Sequence, residues 1–188
     1  MKKLVSGISL LAMSLTSTLG YTNPSYAEEI SCQSTLGAIT VDNVKVPPGK
    51  TCILNGTKVK GNIVVGNNAT LRANAIQVNG NIQAEGATYV EVISNSRVGG
   101  SIQLKQGQRA RLVGNRVTGS IQLESNRGTL VSNSNMVGSD LQAFQNTGGV
   151  TLRSNRIDGN LQCKENRPAP VGGGNIVQGS KEDQCRRL

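Results

Sequence analysis

The chain of 188 residues carries 20 Lys and Arg against 11 Asp and Glu, and it contains no His, no Trp and a single Phe. The absence of His excludes a catalytic Ser that is activated by His, and the scarcity of aromatic side chains argues against the stacking platforms that bind single-stranded nucleic acid. The excess of positive charge favours acidic partners, or it serves solubility outside the cell.

The first 27 residues predict a secretory signal peptide. Lys2 and Lys3 form a positive segment, an apolar core follows, and the sequence SYA at 25–27 places small residues where a signal peptidase reads the chain. We expect cleavage after Ala27, so that the mature protein is secreted, periplasmic or attached to the cell surface. The alternative is an uncleaved membrane anchor, which interrupting Ser, Thr and Gly residues disfavour because a span needs about 20 apolar residues. No transmembrane segment is expected in the mature chain.

The four cysteines predict two disulfides, since export places the chain in an oxidising compartment. Cys32 and Cys52 lie near the mature N-terminus, whereas Cys163 and Cys185 lie near the C-terminus. Of the three possible connectivities we expect Cys32–Cys52 and Cys163–Cys185, each closing a loop of about 20 residues and contributing roughly 3 kcal/mol. A metal site is disfavoured because the chain has no His and no Cys-x-x-Cys pair.

A heptapeptide motif repeats along the chain with a period of 19 or 20 residues. Its copies are VKGNIVV (59–65), VNGNIQA (78–84), VGGSIQL (98–104), VTGSIQL (117–123), VGSDLQA (137–143), IDGNLQC (157–163) and the degenerate VQGSKED (177–183). A second short element lies between copies and ends in an Asn, at Asn74, Asn95, Asn115, Asn133 and Asn155. Apolar and polar residues alternate in both elements, which is typical of strands with one buried face.

This period predicts an all-β fold, a single parallel β-helix of about six to seven coils with about 20 residues per coil and a disulfide at each end. The Ile or Leu at the fifth motif position and the residue two places later are expected to form two inward columns. The Asn series is expected to form a ladder at one corner. Motif glycines are expected at another corner that needs a positive φ; they are Gly61, Gly80, Gly100, Gly119, Gly159 and Gly179. Residues 28–58 are interpreted as an N-terminal cap, 59–163 as the repeats and 164–188 as a C-terminal cap.

Three segments together resemble a known group of proteins. They are the opening LGAITVDNVKVPPGKTCILNGTKVKGNI, the GNIQ or GSIQ rungs, and the closing DGNLQCKENRPAPVGGGNIVQGSKEDQC. The chain resembles exported bacterial proteins described as right-handed parallel β-helix repeat proteins, over nearly all of residues 31–185. The resemblance implies the fold, its right-handedness and export, and it implies no catalytic residue.

Two sets of outward residues are candidates for ligand binding. A glutamine column either offers a hydrogen-bonding face to a linear polymer or, as we favour, bonds internally and stiffens the sheet. Its members are Gln83, Gln103, Gln122, Gln142 and Gln162. Arginines flank the Asn series, at Arg72, Arg111, Arg116, Arg153 and Arg156. Arg116 and Arg156 occupy matching positions and are expected to form a basic stripe one coil apart, suited to carboxylate, sulfate or phosphate groups, or else they supply solubilising charge.

These features favour an exported, non-catalytic structural or binding module of the cell envelope or extracellular space. An anionic polysaccharide or an envelope protein is the expected partner, nucleic acid is disfavoured, and no cofactor, metal or catalytic residue is expected. The alternative is a polysaccharide-active lyase or hydrolase, which would need paired acidic residues. Asp140 and Asp158 lie in neighbouring coils at different motif positions, and we interpret them as solvated turn residues. A third hypothesis is a self-assembling surface protein.

Overall fold

The structure, a computed structural model, describes residues 28–188, which form 25 short β-strands and no helix. The predicted signal peptide lies outside the described residues. Within them there is no helix long and apolar enough to cross a membrane.

The strands contain between two and five residues each, as expected for the sides of small coils. In chain order they are β1 (Glu29–Ser31), β2 (Thr35–Leu36), β3 (Thr40–Val41), β4 (Asn43–Val46), β5 (Thr51–Asn55), β6 (Lys58–Val59), β7 (Ile63–Val65), β8 (Thr70–Asn74), β9 (Gln77–Val78), β10 (Ile82–Glu85), β11 (Tyr89–Ile93), β12 (Arg97–Val98), β13 (Ile102–Lys105), β14 (Arg109–Val113), β15 (Arg116–Val117), β16 (Ile121–Glu124), β17 (Leu130–Asn133), β18 (Met136–Val137), β19 (Leu141–Phe144), β20 (Val150–Arg153), β21 (Arg156–Ile157), β22 (Leu161–Lys164), β23 (Val171–Gly173), β24 (Ile176–Val177) and β25 (Lys181–Asp183).

Three parallel sheets form the sides of a solenoid. Sheet A has nine strands in the order β1-β4-β7-β10-β13-β16-β19-β22-β25. Sheet B has eight, β2-β5-β8-β11-β14-β17-β20-β23, and sheet C has eight, β3-β6-β9-β12-β15-β18-β21-β24. Neighbouring strands of one sheet are three apart in chain order, so every turn of the chain adds one strand to each sheet. The result is a β-solenoid of about seven turns with about 20 residues per coil, which confirms the predicted fold class.

The core consists of aliphatic columns that run along the solenoid axis. One predicted column of sheet A is in register from strand to strand and fully buried; it contains Ile63, Ile82, Ile102, Ile121, Leu141 and Leu161. The second predicted column is also buried and contains Val65, Ala84, Leu104, Leu123, Ala143 and Cys163. Full burial of one Val, Leu or Ile side chain stabilises a fold by roughly 1.5–3 kcal/mol, so stacked aliphatic residues form a core without aromatic ones.

Both predicted disulfides are present, Cys32–Cys52 and Cys163–Cys185, with sequence separations of 20 and 22. The segments interpreted as caps also contribute strands to the sheets, since β1 to β5 lie within 28–58 and β23 to β25 within 164–188. At the C-terminal end, Leu188 packs against the core and its carbonyl accepts a hydrogen bond from Lys181 Nζ.

The expectation of a positive φ at the six motif glycines is wrong, because none of them has one. Glycine is required at these six positions because atoms of the preceding coil lie too close to leave room for a Cβ. A Cβ on Gly80 would overlap Asn62 Oδ1 and the Gly61 carbonyl. A Cβ on Gly119 would overlap Ser101 Oγ and the Gly100 carbonyl. The motif is therefore constrained by the distance between coils rather than by its own backbone dihedrals.

The oxygen atoms that approach these glycines form a polar ladder at the corner between sheets C and A. Each side-chain oxygen accepts a hydrogen bond from the backbone N–H of the equivalent residue in the next coil. Asn62 N–H donates to Asn43 Oδ1 at 2.9 Å, and Asn160 N–H donates to Asp140 Oδ1 at 2.7 Å. The full corner ladder is Asn43, Asn62, Asn81, Ser101, Ser120, Asp140, Asn160 and Ser180. The variable Asn, Ser or Asp at the fourth motif position thus accepts a backbone N–H from the next coil.

Candidate functional site: the outer faces of the solenoid

The outer face of sheet A carries the predicted glutamine column, whose side chains bond to one another. Gln83 Nε2 donates to Gln103 Oε1 at 3.0 Å, and Gln103 Nε2 donates to Gln122 Oε1 at 2.8 Å. The series continues through Gln142 and Gln162 and ends on the carboxylate of Glu182. Because neighbouring amides engage one another, the column stiffens the sheet and holds Gln103, Gln122 and Gln142 in fixed orientations.

A groove of about 1060 Å³ opens beside the N-terminal half of this column. Val64, Gln83 and Gln103 line it, together with charged side chains at its edge. Val64 stands where the next glutamine would be, and its side chain is 39 % exposed. Within residues 28–188 Gln83 Oε1 therefore accepts no hydrogen bond, and it is a free acceptor on a residue that lines the groove.

Phe144 faces outward from sheet A. It ends β19, in which Leu141 and Ala143 are buried while Gln142 and Phe144 are partly exposed. Phe144 pairs with Glu124 on one neighbouring strand and with Lys164 on the other. Sequence analysis did not single it out, although strict alternation after Leu141 is the signal that places it outside.

An Asn ladder lies at the corner between sheets B and C, but only Asn115 and Asn155 of the five predicted residues belong to it. Its buried members are Asn115, Asn135, Asn155 and Asn175. Asn135 donates twice to Asn155 Oδ1, from its backbone N–H at 3.1 Å and from Nδ2 at 3.2 Å. The ladder therefore satisfies buried polar groups that would otherwise destabilise the corner.

The prediction is wrong for Asn74, Asn95 and Asn133 because sequence spacing does not distinguish a strand end from a corner. Asn74 and Asn133 are the last residues of β8 and β17. Near Asn95 the corner holds one extra residue, because Ile93 pairs with Asn74 and Arg97 with Gln77. Ser94 and Asn95 both adopt positive φ, of 62° and 59°. That insertion exposes Asn95 and gives the ladder position to Ser96, whose Oγ accepts the N–H of Ile76.

A second buried Asn ladder lies at the corner between sheets A and B and was missed by sequence analysis. It contains Asn126, Asn146 and Asn166 and ends at Gln184. Asn126 Nδ2 donates to Asn146 Oδ1 and to the Leu104 carbonyl, both at 3.0 Å. The available signal was the recurrence of Asn at intervals of 20 residues in SNR, QNT and ENR.

Arg111 and Arg153 lie on sheet B in different columns. Arg111 Nη1 is 3.5 Å from Glu91 Oε2, and Arg72 Nη1 is 3.7 Å from Glu91 Oε1. The Tyr89 hydroxyl donates to the same carboxylate at 2.8 Å. Burial, and then this hydrogen bond, raise the pKa of Tyr89 above its usual value. The Arg111 side chain is therefore engaged by an acidic partner.

Sheet C brings Arg116 and Arg156 into one outward column, at a spacing that differs from the expected one. Met136 lies between them and pairs with both, so they are two coils apart and the expectation of one coil is wrong. Arg97, which sequence analysis did not include, pairs directly with Arg116. The exposed positions of this column are Thr40, Lys58, Gln77, Arg97, Arg116, Met136, Arg156 and Ile176. Its four cations, Lys58, Arg97, Arg116 and Arg156, are here named the basic column.

No carboxylate of residues 28–188 lies within salt-bridge distance of the basic column. Two acids share the face. Asp42 is 2.9 Å from Lys60 Nζ, and hydrogen bonds from Lys60 and from the Glu28 N–H lower the pKa of Asp42. Asp158 accepts a hydrogen bond from Gln178 at 3.0 Å. The four cations are therefore free to meet an external anion.

The acids considered for catalysis, Asp140 and Asp158, serve separate local roles. Asp140 is half-buried and accepts a backbone N–H within the corner ladder, whereas Asp158 is exposed in the turn that follows β21. In the described part of the chain no group of three or more His, Cys, Asp or Glu side chains is arranged to hold a metal ion.

Comparison of the chain with protein-family models, with curated proteins and with solved structures finds no match. The resemblance to exported β-helix repeat proteins stays a prediction, and the function must be argued from the geometry of the outer faces.

Proposed function

We propose that the protein is an exported, non-catalytic binding module whose sheet C face binds a linear polyanion such as an acidic polysaccharide of the cell envelope. The observation that carries the proposal is the basic column, four exposed cations aligned on one sheet face without a carboxylate partner among the described residues. The two disulfides support residence in an oxidising compartment.

The spacing of the basic column is fixed by the backbone. Neighbouring parallel strands lie about 4.8 Å apart, so Arg97 and Arg116 are one such spacing apart, while Lys58 and Arg156 each lie two spacings, about 10 Å, further out. The column therefore extends over about 24 Å. Because the core and the ladders hold the strands, the cations are pre-organised for an extended ligand that carries charges at regular intervals.

The chemistry of the column favours carboxylate or sulfate groups. Three of its four cations are arginines, whose planar guanidinium groups donate two parallel hydrogen bonds to one oxyanion. A single exposed ion pair is weak and is screened by salt, so useful affinity requires several contacts along one polymer chain. A linear polyanion meets this requirement, whereas a small anion does not.

The groove beside sheet A is where a polysaccharide-active enzyme would act, and its composition favours the binding module. Glycoside hydrolysis needs two carboxylates that face one cleft. Glu85 is the one carboxylate that lines the groove itself. Two carboxylates further along the same face, Glu124 and Glu165, are engaged by Lys105 and by Gln145. Lateral self-assembly through sheet C is disfavoured, because it would place the basic columns of two copies opposite each other.

The test measures binding of the purified, disulfide-bonded protein to polygalacturonate and chondroitin sulfate, with polyethylene glycol, which carries neither charge nor sugar, as the control. We expect binding to an anionic polymer in about 0.1 M salt and its loss in about 1 M salt, where the Debye length falls from about 10 to about 3 Å.

Two matched variants locate the site. Arg97→Gln/Arg116→Gln should lower the affinity about tenfold or more, whereas Arg111→Gln/Arg153→Gln removes the same charge from sheet B and should change it less than about twofold. Equal losses in both variants would indicate non-specific charge attraction. Failure to bind either anionic polymer at the lower salt concentration would contradict the proposal.

A further inference from the structure

Phe144 and its neighbours form a small pocket on the outer face of sheet A. The pocket has a volume of about 220 Å³ and is lined by Glu124, Phe144, Gln145, Lys164 and Glu165. The ring is held between Glu124 and Lys164, which are in register with it on the neighbouring strands. Phe144 does not belong to the cluster of buried core residues, so core packing does not account for an aromatic side chain at this position.

Some of the polar groups around the ring are bonded to one another or to a neighbouring lysine, and part of their bonding capacity is unused. Gln145 Nε2 donates to Glu165 Oε2 at 2.9 Å, and Lys105 Nζ lies 3.0 Å from Glu124 Oε2. Within residues 28–188 the second oxygen of each carboxylate and the Lys164 ammonium group have no partner. An apolar ring bordered by oriented acceptors and a donor suits a pyranose, which has an apolar C–H face and hydroxyl groups around its rim.

The pocket continues into the larger groove. Ser125 lines the groove, and its Oγ donates to Oε1 of Gln145, a pocket residue, at 3.3 Å. Lys105 also lines the groove and pairs with Glu124 of the pocket. The combined surface extends from β7 to β22, which is five strand spacings or about 24 Å. Its length suits several sugar units rather than one.

The charges of this surface balance, in contrast to those of the basic column. Its acids are Glu85, Glu124 and Glu165, and its bases are Lys105, Arg127 and Lys164. The remaining polar lining is dominated by glutamine amides, including the free Oε1 atom of Gln83. A surface of amides with equal numbers of acids and bases favours an uncharged, hydroxyl-rich ligand.

We propose that the outer face of sheet A binds an uncharged linear oligosaccharide along the solenoid axis, with one pyranose ring against Phe144 and the following units in the groove. This site lies on a different sheet from the basic column and takes a different class of ligand. It is therefore independent of the proposed polyanion binding.

The test is an NMR titration of the ¹⁵N-labelled, disulfide-bonded protein with uncharged hexasaccharides of glucose, xylose, mannose and N-acetylglucosamine. We expect at least one of them to shift amide resonances of β16, β19 and β22 and of the groove residues. The affinity should be the same in about 0.1 M and about 1 M salt, because the ligand carries no charge.

Substitutions of Phe144 test whether binding needs the aromatic ring or only an apolar side chain of similar size. Phe144→Ala and Phe144→Leu should each weaken binding about tenfold or more, while Phe144→Tyr should retain it. If Phe144→Ala fails to fold, the Leu and Tyr variants still decide the question. Arg116→Gln on sheet C is the control and should leave oligosaccharide binding unchanged.

Three results would each overturn the inference: no shift with any hexasaccharide, shifts confined to sheet C, or undiminished binding by Phe144→Leu. Loss of polygalacturonate binding with retained oligosaccharide binding in Arg97→Gln/Arg116→Gln would show that the two sites are separate.

Discussion

Gln184 Oε1 accepts hydrogen bonds from both the backbone N–H and the side-chain Nδ2 of Asn166, at 2.9 and 3.0 Å. In return, Gln184 Nε2 donates to the Asn166 carbonyl at 3.0 Å. Gln184 thus stands where the Asn of a further coil would be, and it ends the buried ladder with its donors satisfied. Cys185 follows directly and is bonded to Cys163, so a covalent link holds the capping residue in place.

Removal of this cap should loosen the C-terminal end. Gln184→Ala leaves the backbone N–H of Asn166 and one of its two amide hydrogens unpaired, while the other amide hydrogen keeps its bond to the Ala143 carbonyl. We expect the free energy of unfolding to fall by about 1–3 kcal/mol in chemical denaturation. Amide hydrogen exchange should accelerate at Asn166 and Asn146. Gln178→Ala, which removes an exposed hydrogen bond to Asp158, is the control and should change stability by less than about 0.5 kcal/mol. Equal effects of the two substitutions would mean that the cap contributes nothing.

Ser96→Asn should stabilise the protein. Asn115 Oδ1 is the buried side-chain polar atom without a hydrogen-bond partner in residues 28–188, because Ser96, one coil earlier, has no amide to donate. An Asn at this position would supply the missing donor, and we expect thermal or chemical denaturation to show a gain of about 1 kcal/mol. Ser96→Ala should destabilise, since it removes the Oγ bonds to Ile76 and Ile93. A less stable Ser96→Asn variant would show that the longer corner cannot hold an amide.

The motif glycines should tolerate no side chain. Gly119→Ala places a Cβ against Ser101 Oγ and the Gly100 carbonyl, so we expect a loss of about 1–3 kcal/mol from overpacking. Gly37→Ala is the matched control, because nothing lies within 4 Å of its Cβ and its φ is not positive. That variant should stay within about 0.5 kcal/mol of the parent. Similar stabilities for the two variants would contradict the close-contact explanation.

Tyr89 should ionise above its ordinary pKa of 10.0, because burial and the Glu91 carboxylate both disfavour the phenolate. The fold favours the neutral phenol, so this contribution to stability is present below the ordinary pKa and is lost as pH rises through the higher folded pKa. In a Tyr21→Phe/Tyr26→Phe background Tyr89 is the sole phenol, and ultraviolet absorbance follows its titration. Glu91→Gln should lower the pKa of Tyr89, whereas Glu85→Gln on sheet A should leave it unchanged. A Tyr89 that titrates at or below 10.0 would contradict this environment.

The fold could be read from the sequence because its determinants are local and repeated. The alternation in GSIQL specifies which residues face inward, and a constant period brings Ile102 and Ile121 into register. The disulfides could be predicted because two cysteines lie near each end of the repeats, and the structure adds the reason that residues about 20 apart in sequence lie one coil apart in space.

The corners and outer faces were less predictable because they depend on contacts between coils. One inserted residue at Ser94–Asn95 moves Asn95 into solvent, and no local pattern distinguishes that corner from its neighbours. Met136 lies between Arg116 and Arg156, because each of the three directly precedes a copy of the heptapeptide. Taking Asn133 as the ladder residue of the middle coil hid this position. Charge pairing, such as that of Arg111 with Glu91, depends on side-chain conformations that spacing does not specify.

The hydrogen-bonded amide side chains also give the solenoid a direction. In the glutamine column every side-chain bond donates from Nε2 toward the C-terminal end. In both buried Asn ladders the Oδ1 atoms accept from the preceding coil, so their carbonyl groups point toward the N-terminal end. Parallel amide dipoles add along an axis, as they do in an α-helix, so the C-terminal end carries a partial positive charge. The glutamine column ends there on Glu182 Oε2, at 2.8 Å from Gln162 Nε2, and this carboxylate neutralises the exposed pole. A second copy that stacked head to tail on this end would have to break the bond between Gln162 and Glu182. The carboxylate therefore opposes end-on association, in addition to the Cys163–Cys185 disulfide that closes this end.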